Sequence, residues 1–362
     1  MRNEIKVNLK DNSYKIVVGD KILSQTGQSA RSLQLGEDAV IVTNRYIHKT
    51  HGKSLISGLK KTGFTVKVFE VADSEKSKSV AVAFDLLNKI ASYDINKKIF
   101  IIAFGGGVVG DLAGFVAAVY KRGVPYIQVP TTFLAQVDSA IGGKTAIDLS
   151  VGKNLVGAFY QPKLVLSDVS VLSTLSLRQI RNGLAEVVKY GVIADKNLFA
   201  YIFRNYKKLL SLDSKALGNV VLSSSQIKAR VVSFDEKEAK GLRMILNFGH
   251  TVGHAIETAA GYKLYHHGEA IALGMRIAAD IAHQMGLFSQ NNCLLLETLL
   301  SNIGLPERIK NVSLARILAA MAHDKKFQAG KNRFVLPVQI GKVKIVEGVA
   351  VDVIQAAIRC RL

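Results

Sequence analysis

Short apolar runs alternate with longer amphipathic stretches through the first half of the chain, and the rhythm changes near residue 175. Val40–Thr43 reads as a short buried strand and Val66–Glu70 as the next. A helical stretch over Ser79–Ala91 follows, then the apolar strand Ile99–Ala103, a glycine-rich turn opening a helix, and the strand Tyr126–Val129 ending at Pro130. Strands alternating with helices at this spacing pair in parallel and build a layered α/β domain. Beyond Leu177 helical periodicity dominates, over 180–194, 196–210, 214–232, 250–260, 269–286, 291–303 and 313–323, with strand-like pieces only near 333–346. The pattern predicts an α/β domain over 1–175 and a mostly α-helical domain over 176–362.

Composition narrows the class. The 362 residues, 49% of them hydrophobic, suffice for two cores. Cys293 and Cys360 stand far apart in no ligand-like spacing, which fits a reducing compartment without a disulfide framework. The first ten residues are charged and alternating rather than apolar, so the expected location is the cytoplasm. Residues 99–120 are apolar apart from Asp111, but their five glycines suit a strand, a turn and a buried helix better than a membrane span. Lys and Arg outnumber Asp and Glu by 48 to 28, a net charge of +20. The cations are scattered, as at Lys207–Lys208, and no basic run carries interleaved aromatics. That suits a small anionic substrate better than nucleic acid.

Candidate chemistry lies in three places. Gly105-Gly106-Gly107-Val108-Val109-Gly110-Asp111 follows a strand and opens a helix, where free N–H groups and the helix dipole favour a pyrophosphate. It is neither an ordinary dinucleotide fingerprint nor a Walker loop, and a tight strand–helix junction would use the same glycines. Thr131-Thr132, Gln136-Val137-Asp138-Ser139 and Gly142-Gly143-Lys144-Thr145 follow the next strand, and turn formation alone leaves Asp138 and Lys144 unexplained. The third place is Leu246–His254, closed by Glu257. His250 and His254 are four residues apart on one helix face, and His266-His267-Gly268-Glu269 follows. This imidazole density, in a chain with eight histidines, points to a metal site.

In order, these strings resemble the 3-dehydroquinate synthases of the sugar phosphate cyclase superfamily. Further strings extend the resemblance over residues 40–337: Lys-Asn-Leu-Val-Gly-Ala-Phe-Tyr-Gln-Pro (153–162), Gly-Leu-Ala-Glu-Val-Val-Lys-Tyr-Gly (183–191), His-Gly-Glu-Ala (267–270) and Asp-Lys-Lys (324–326). The resemblance implies a Rossmann-like, dehydroquinate synthase-like α/β nucleotide-binding domain followed by a mostly α-helical metal-binding domain. It also implies NAD, one divalent zinc or cobalt ion, a homodimer, and no nucleic-acid or membrane partner.

Carried over by position, the resemblance makes Glu186, His250 and His267 the metal ligands and places His254 beside the metal, on substrate or a proton path. His266 has no role in that scheme. The anionic sugar phosphate would meet Asp138, Lys144, Asn154, Lys189, Lys228, Arg243, Asn247 and Lys325, with Arg122 reaching the partner subunit's site. NAD would be held by Asn44, Asp73, Glu75, Lys78, Gly106, Gly107, Val108, Val109, Gly110, Asp111, Thr131, Thr132, Lys144, Lys153, Val171 and Thr174. The implied reaction is a redox-neutral cyclisation of 3-deoxy-D-arabino-heptulosonate 7-phosphate to 3-dehydroquinate and phosphate.

Several positions depart from the family's usual residues: Ser74 for glycine, Ala140 for serine, Asp148 for asparagine, Ser176 for proline and Gln179 for glutamate. They bear on cofactor affinity and remove no metal ligand. Sister cyclases acting on neutral sugars share the scaffold, but Arg243 and Asn247 suit a substrate carboxylate. Metal-dependent polyol dehydrogenases share a similar turn and lack Gly157–Pro162.

Overall fold

Four strands with every residue buried form the centre of the first of two compact units: β3 (Asp38–Asn44), β5 (Ile99–Gly105), β6 (Tyr126–Pro130) and β9 (Leu164–Asp168). In this computed structural model, which describes residues 2–322 and 332–362, they belong to a seven-stranded sheet ordered β1-β2-β9-β6-β5-β3-β4. Its other members are β1 (Arg2–Val7), β2 (Tyr14–Gly19) and β4 (Thr65–Val71). Only β1 runs antiparallel to its neighbour. Continuous burial of the central strands is what helices on both faces of a parallel sheet require. The edge strands β1 and β4 alternate instead.

The helices in the N-terminal part of this unit are α1 (Thr26–Ser32), α2 (Arg45–Lys61), α3 (Val80–Tyr93) and α4 (Gly107–Val119). A hairpin of β7 (Lys144–Leu149) and β8 (Gly152–Phe159) stands outside the main sheet. From β3 the chain winds to β4 on one side and then to β5 on the other. The parallel strands are therefore ordered β4-β3-β5-β6-β9-β2, with the winding direction reversing between β3 and β5. Ligands of open α/β sheets bind outside the carboxyl ends of strands at such a reversal.

The units are Met1–Leu175 with Leu217–Lys237, and Ser176–Ala216 with Glu238–Leu362. The segment 217–237 carries most of α7 (Ser214–Phe234), which helical rhythm alone groups with the C-terminal half. Its buried face, with Val220, Val221, Ser224, Ser225, Lys228 and Val232, packs in the first unit instead. Periodicity reports a helix and its apolar side, not which neighbour covers that side.

The second unit holds α5 (Leu177–Ala194), α6 (Lys196–Leu210), α8 (His250–Ala259), α9 (His267–Gln284), α10 (Gln290–Ile303), α11 (Leu314–Ala322) and α12 (Val351–Arg359), with the hairpin β10 (Arg333–Gln339) and β11 (Lys342–Glu347). Helix α9 is apolar almost all round and buried from Gly268 to Ala282 apart from Glu269 and Asp280, as a central helix must be. It lies so close to α8 that a Cβ on Gly274 would collide with the Gly249 carbonyl oxygen. Among the described residues no helix is long and apolar enough to cross a membrane.

Candidate active site

In the first unit the expected cofactor residues collect at the carboxyl ends of the parallel strands. Asn44 ends β3; Asp73, Glu75 and Lys78 follow β4; Gly106–Asp111 follow β5; Thr131 and Thr132 follow β6; Val171 and Thr174 follow β9. Asn44 caps α2 by accepting the Ile47 N–H and donates its own amide to Asp73 Oδ1 at 2.9 Å, tying two strand ends together. The glycines of the turn serve close packing rather than unusual backbone angles. A Cβ on Gly106 would lie 2.9 Å from Thr132 Cγ2, and one on Gly107 3.1 Å from Ser139 Oγ. The turn thus seats the start of α4, with its unpaired first-turn N–H groups, against the threonine segment. Ser74, in place of the usual glycine, is extended and accepts the Lys76 N–H, so the exchange costs no strain.

The expected substrate residues of this unit also converge, beside the expected cofactor residue Asp111. Asp111, Asp138, Lys144, Asn154 and Lys228 line one cavity of about 520 Å³. Asp138 lies in a single π-type turn (Ala135–Ser139), a local widening often found where side chains must be re-aimed. Lys228 Nζ donates to the Asp138 carboxylate at 2.7 Å and to its carbonyl at 2.8 Å. Buried Lys78 donates to Asp111 Oδ2 at 2.8 Å and to Asn154 Oδ1 at 2.5 Å. Burial opposes the Lys78 charge, but the surrounding carboxylates, Asp111 foremost with Glu75 and Asp148, together outweigh it and hold the ammonium above its ordinary value. Asn154 sits at φ +56°, and Asp148 accepts its N–H at 2.8 Å. The acid in place of the usual asparagine therefore fixes this turn. Lys153 pairs with Glu75 at 3.4 Å. Arg122 stands exposed in a turn at φ +63° and is not among the cavity's lining residues.

In the second unit the metal-type donors meet around one buried carboxylate. Glu186 Oε1 lies 3.5 Å from His250 Nε2 and 3.5 Å from His267 Nε2. A tetrahedral ion with bonds of about 2.1 Å spaces its ligand atoms by about 3.4 Å, so Glu186 stands at coordination spacing from each of the two histidines. His254 is near enough that ligand atoms of His250, His254 and His267 lie within 4.8 Å of one another. Burial pushes the His250 imidazole well below its ordinary value, against the pull of Glu186. Burial also disfavours charge on His267, but contacts with Glu186 and Glu257 raise it to about 10. A divalent cation would displace the proton held between that ring and Glu186, and the donor set suits zinc or cobalt.

Neighbouring side chains fix this cluster. Arg178, Asn182 and Glu186 repeat at four-residue intervals on α5 and all meet the start of α9. Arg178 binds Glu269 through two hydrogen bonds of 2.7 Å, Asn182 Oδ1 accepts the Gly268 N–H at 2.5 Å, and Glu186 faces His267. A Cβ on Gly268 would strike the Asn182 carbonyl oxygen. Sequence reasoning assigned no role to Arg178, Asn182 or Glu269, although their spacing on one helix face was the available signal. Lys189, one turn after Glu186, pairs with it. Buried Arg243 pairs with Glu238 at 3.3 Å, and Asn247 lies in the same short turn (Leu242–Asn247). Lys325 lies outside the described residues.

Residues 68–182 match the 3-dehydroquinate synthase N-terminal family and residues 183–327 its C-terminal family. A 3-dehydroquinate synthase of Desulforamulus reducens is 46% identical over 346 residues, spanning 95% of this chain and 96% of that protein. One from Nostoc punctiforme is 42% identical over 362 residues, spanning 99% of each. Among solved structures, a 2-deoxy-scyllo-inosose synthase complexed with carbaglucose-6-phosphate, NAD+ and Co2+ is 27% identical with a TM-score of 0.89, over 99% of this chain and all (100%) of that one. A 2-epi-5-epi-valiolone synthase from Streptomyces hygroscopicus with NAD+ and Zn2+ bound is 26% identical with a TM-score of 0.88, over 97% of each chain. An iron-containing alcohol dehydrogenase from Thermotoga maritima, 16% identical with a TM-score of 0.69, shares the fold alone. With a two-part family match, near full-length relatives and a carboxylate–imidazole cluster at coordination spacing, the chain belongs to the 3-dehydroquinate synthase family.

Proposed function

We propose that this protein converts 3-deoxy-D-arabino-heptulosonate 7-phosphate to 3-dehydroquinate and inorganic phosphate, a carbon–oxygen lyase reaction of aromatic amino acid biosynthesis. The observation that carries the reading is the placement of Glu186 Oε1 at 3.5 Å from both His250 and His267 Nε2, in a chain that also matches the family over both halves. Glu186, His250 and His267 would hold the ion, and the residues at the strand ends would hold NAD. When bound, NAD supplies a reversible hydride acceptor and the ion a Lewis acid for substrate hydroxyls.

The chain's own residues orient an anion. Lys228 is pinned by Asp138, so its charge faces the cavity without searching rotamers. Lys144 and Asn154 lie on the hairpin lining the same cavity. In the second unit Arg243 offers a planar fork suited to a carboxylate. Phosphate elimination with the departing group's own oxygen as proton acceptor asks no side chain to act as a strong base. His254, exposed beside the cluster, is placed to relay a proton. We also place the protein in the cytosol, where its free Cys293 and Cys360 would stay reduced, and as a homodimer in which Arg122 reaches the partner's site. Size-exclusion chromatography with light scattering tests the dimer.

The deciding assay supplies catalytic NAD, zinc or cobalt and the heptulosonate phosphate, and measures phosphate and dehydroquinate together. Equal yields, abolished by chelator and by His250→Ala, are expected. Phosphate release from glucose 6-phosphate instead would indicate a sister cyclase, and net NADH from a polyol a dehydrogenase.

A further inference from the structure

We infer that Glu257 is a positioning residue that aims His267 at the metal. The inference rests on the reading that Glu186, His250 and His267 hold the ion. Both imidazoles turn Nε2 towards Glu186 Oε1, and each is braced at its other nitrogen. His250 Nδ1 donates to the Phe248 carbonyl oxygen at 3.1 Å. His267 Nδ1 donates to Glu257 Oε2 at 3.4 Å.

The two braces differ in kind. The brace on His250 is main chain two residues upstream, and the local turn fixes it whatever the side chains are. His267 begins α9, and its brace is a carboxylate from a different helix, α8. Glu257 stands seven residues after His250 and so on the same face of α8, with its side chain 14% exposed. An imidazole offers its lone pair only at the nitrogen without a proton. A carboxylate at Nδ1 selects the tautomer with the lone pair on Nε2, fixes the ring plane and strengthens the donor. Glu257 faces the ring edge turned away from Glu186 and does not compete for the ion. His267 orientation therefore depends on one replaceable side chain.

The test uses the full-length protein, stripped by chelator and titrated with Co2+ against a chromophoric competitor, with the cobalt visible absorption read alongside. Glu257→Ala is expected to bind Co2+ about 10- to 100-fold more weakly and to shift the band, since losing such a partner has that effect on metal affinity. Glu257→Gln keeps an acceptor oxygen and loses the charge, and its affinity should fall between the two. Parental affinity and an unshifted band in a folded Glu257→Ala protein would overturn the inference. If that variant fails to fold, Glu257→Gln decides on the same two readings. Glu186→Gln separates the premises: if it binds Co2+ like the parent, the metal reading itself fails, and this inference with it. If only the Glu257 variants bind like the parent, the inference fails alone.

Discussion

A missing Cβ decides more at Gly274 than most side chains decide elsewhere. That glycine lets α9 lie against the Gly249 carbonyl, immediately before the first histidine of the cluster. Gly274→Ala should therefore lower the melting temperature and weaken metal binding together, because the helix must shift away from His250. Gly218 in α7 is the control, with open space around its absent Cβ. Gly218→Ala should raise stability by about 0.4–1 kcal/mol through a less flexible unfolded chain. Thermal and urea melts of the two variants, with cobalt titration of the first, check both outcomes. Single residues also mark where sequence reading stopped. Glu186 and His267 could be assigned by their motifs, yet the residues alone pair His250 with His254. Only the fold shows the buried Glu186 equidistant from His250 and His267.

Helix ends carry the next level of control. Ser176 and Gln179, both departures from the family's habit, form a reciprocal cap on α5: Gln179 Oε1 accepts the Ser176 N–H at 2.9 Å, and Ser176 Oγ accepts the Gln179 N–H at 3.3 Å. Ser176→Ala should cost about 1 kcal/mol of stability in urea denaturation, with metal affinity nearly unchanged. At the start of α9, burial pushes the Glu269 carboxyl upward, but the Arg178 hydrogen bonds and charge, together with the His266 N–H, outweigh it and hold it below its ordinary 4.5. A depressed carboxyl adds stability above the unfolded value and loses it as pH falls through the folded one. Arg178→Gln should therefore melt earlier than the parent above pH 4.5, the gap closing as the medium becomes more acid. Helices α3 to α11 and strands β3, β4, β5 and β6 were legible because their periodicity is strong, and β5 and α10 fall within two residues of the expected ends, whereas α2 and β9 were not read. The hairpin β7–β8 was not, because Gly-Gly-Lys-Thr reads as a loop and its pairing depends on residues farther along the chain. The edge strand β1 was hidden because charged alternation at a sheet edge looks like solvent exposure.

For the whole molecule, a net charge of +20 sets a field that an anionic sugar-phosphate substrate feels before contact. Raising ionic strength should lower kcat/KM and leave kcat nearly constant, because screening over a Debye length of about 8 Å at physiological salt weakens capture more than chemistry. Steady-state kinetics across a salt series reads this directly. The assignment of Leu217–Lys237 to the first unit also limits how the protein could be recombined with its relatives. A chimera joined once, after Leu175, would replace Leu217–Lys237 in the first unit by a foreign segment and set a foreign residue 228 against Asp138. Exchanging the halves cleanly needs three crossovers, after residues 175, 216 and 237, so that Lys228 travels with the N-terminal gene segment it serves. Inheritance of this enzyme in parts is thus constrained by a helix that lies late in the sequence and belongs to the earlier fold.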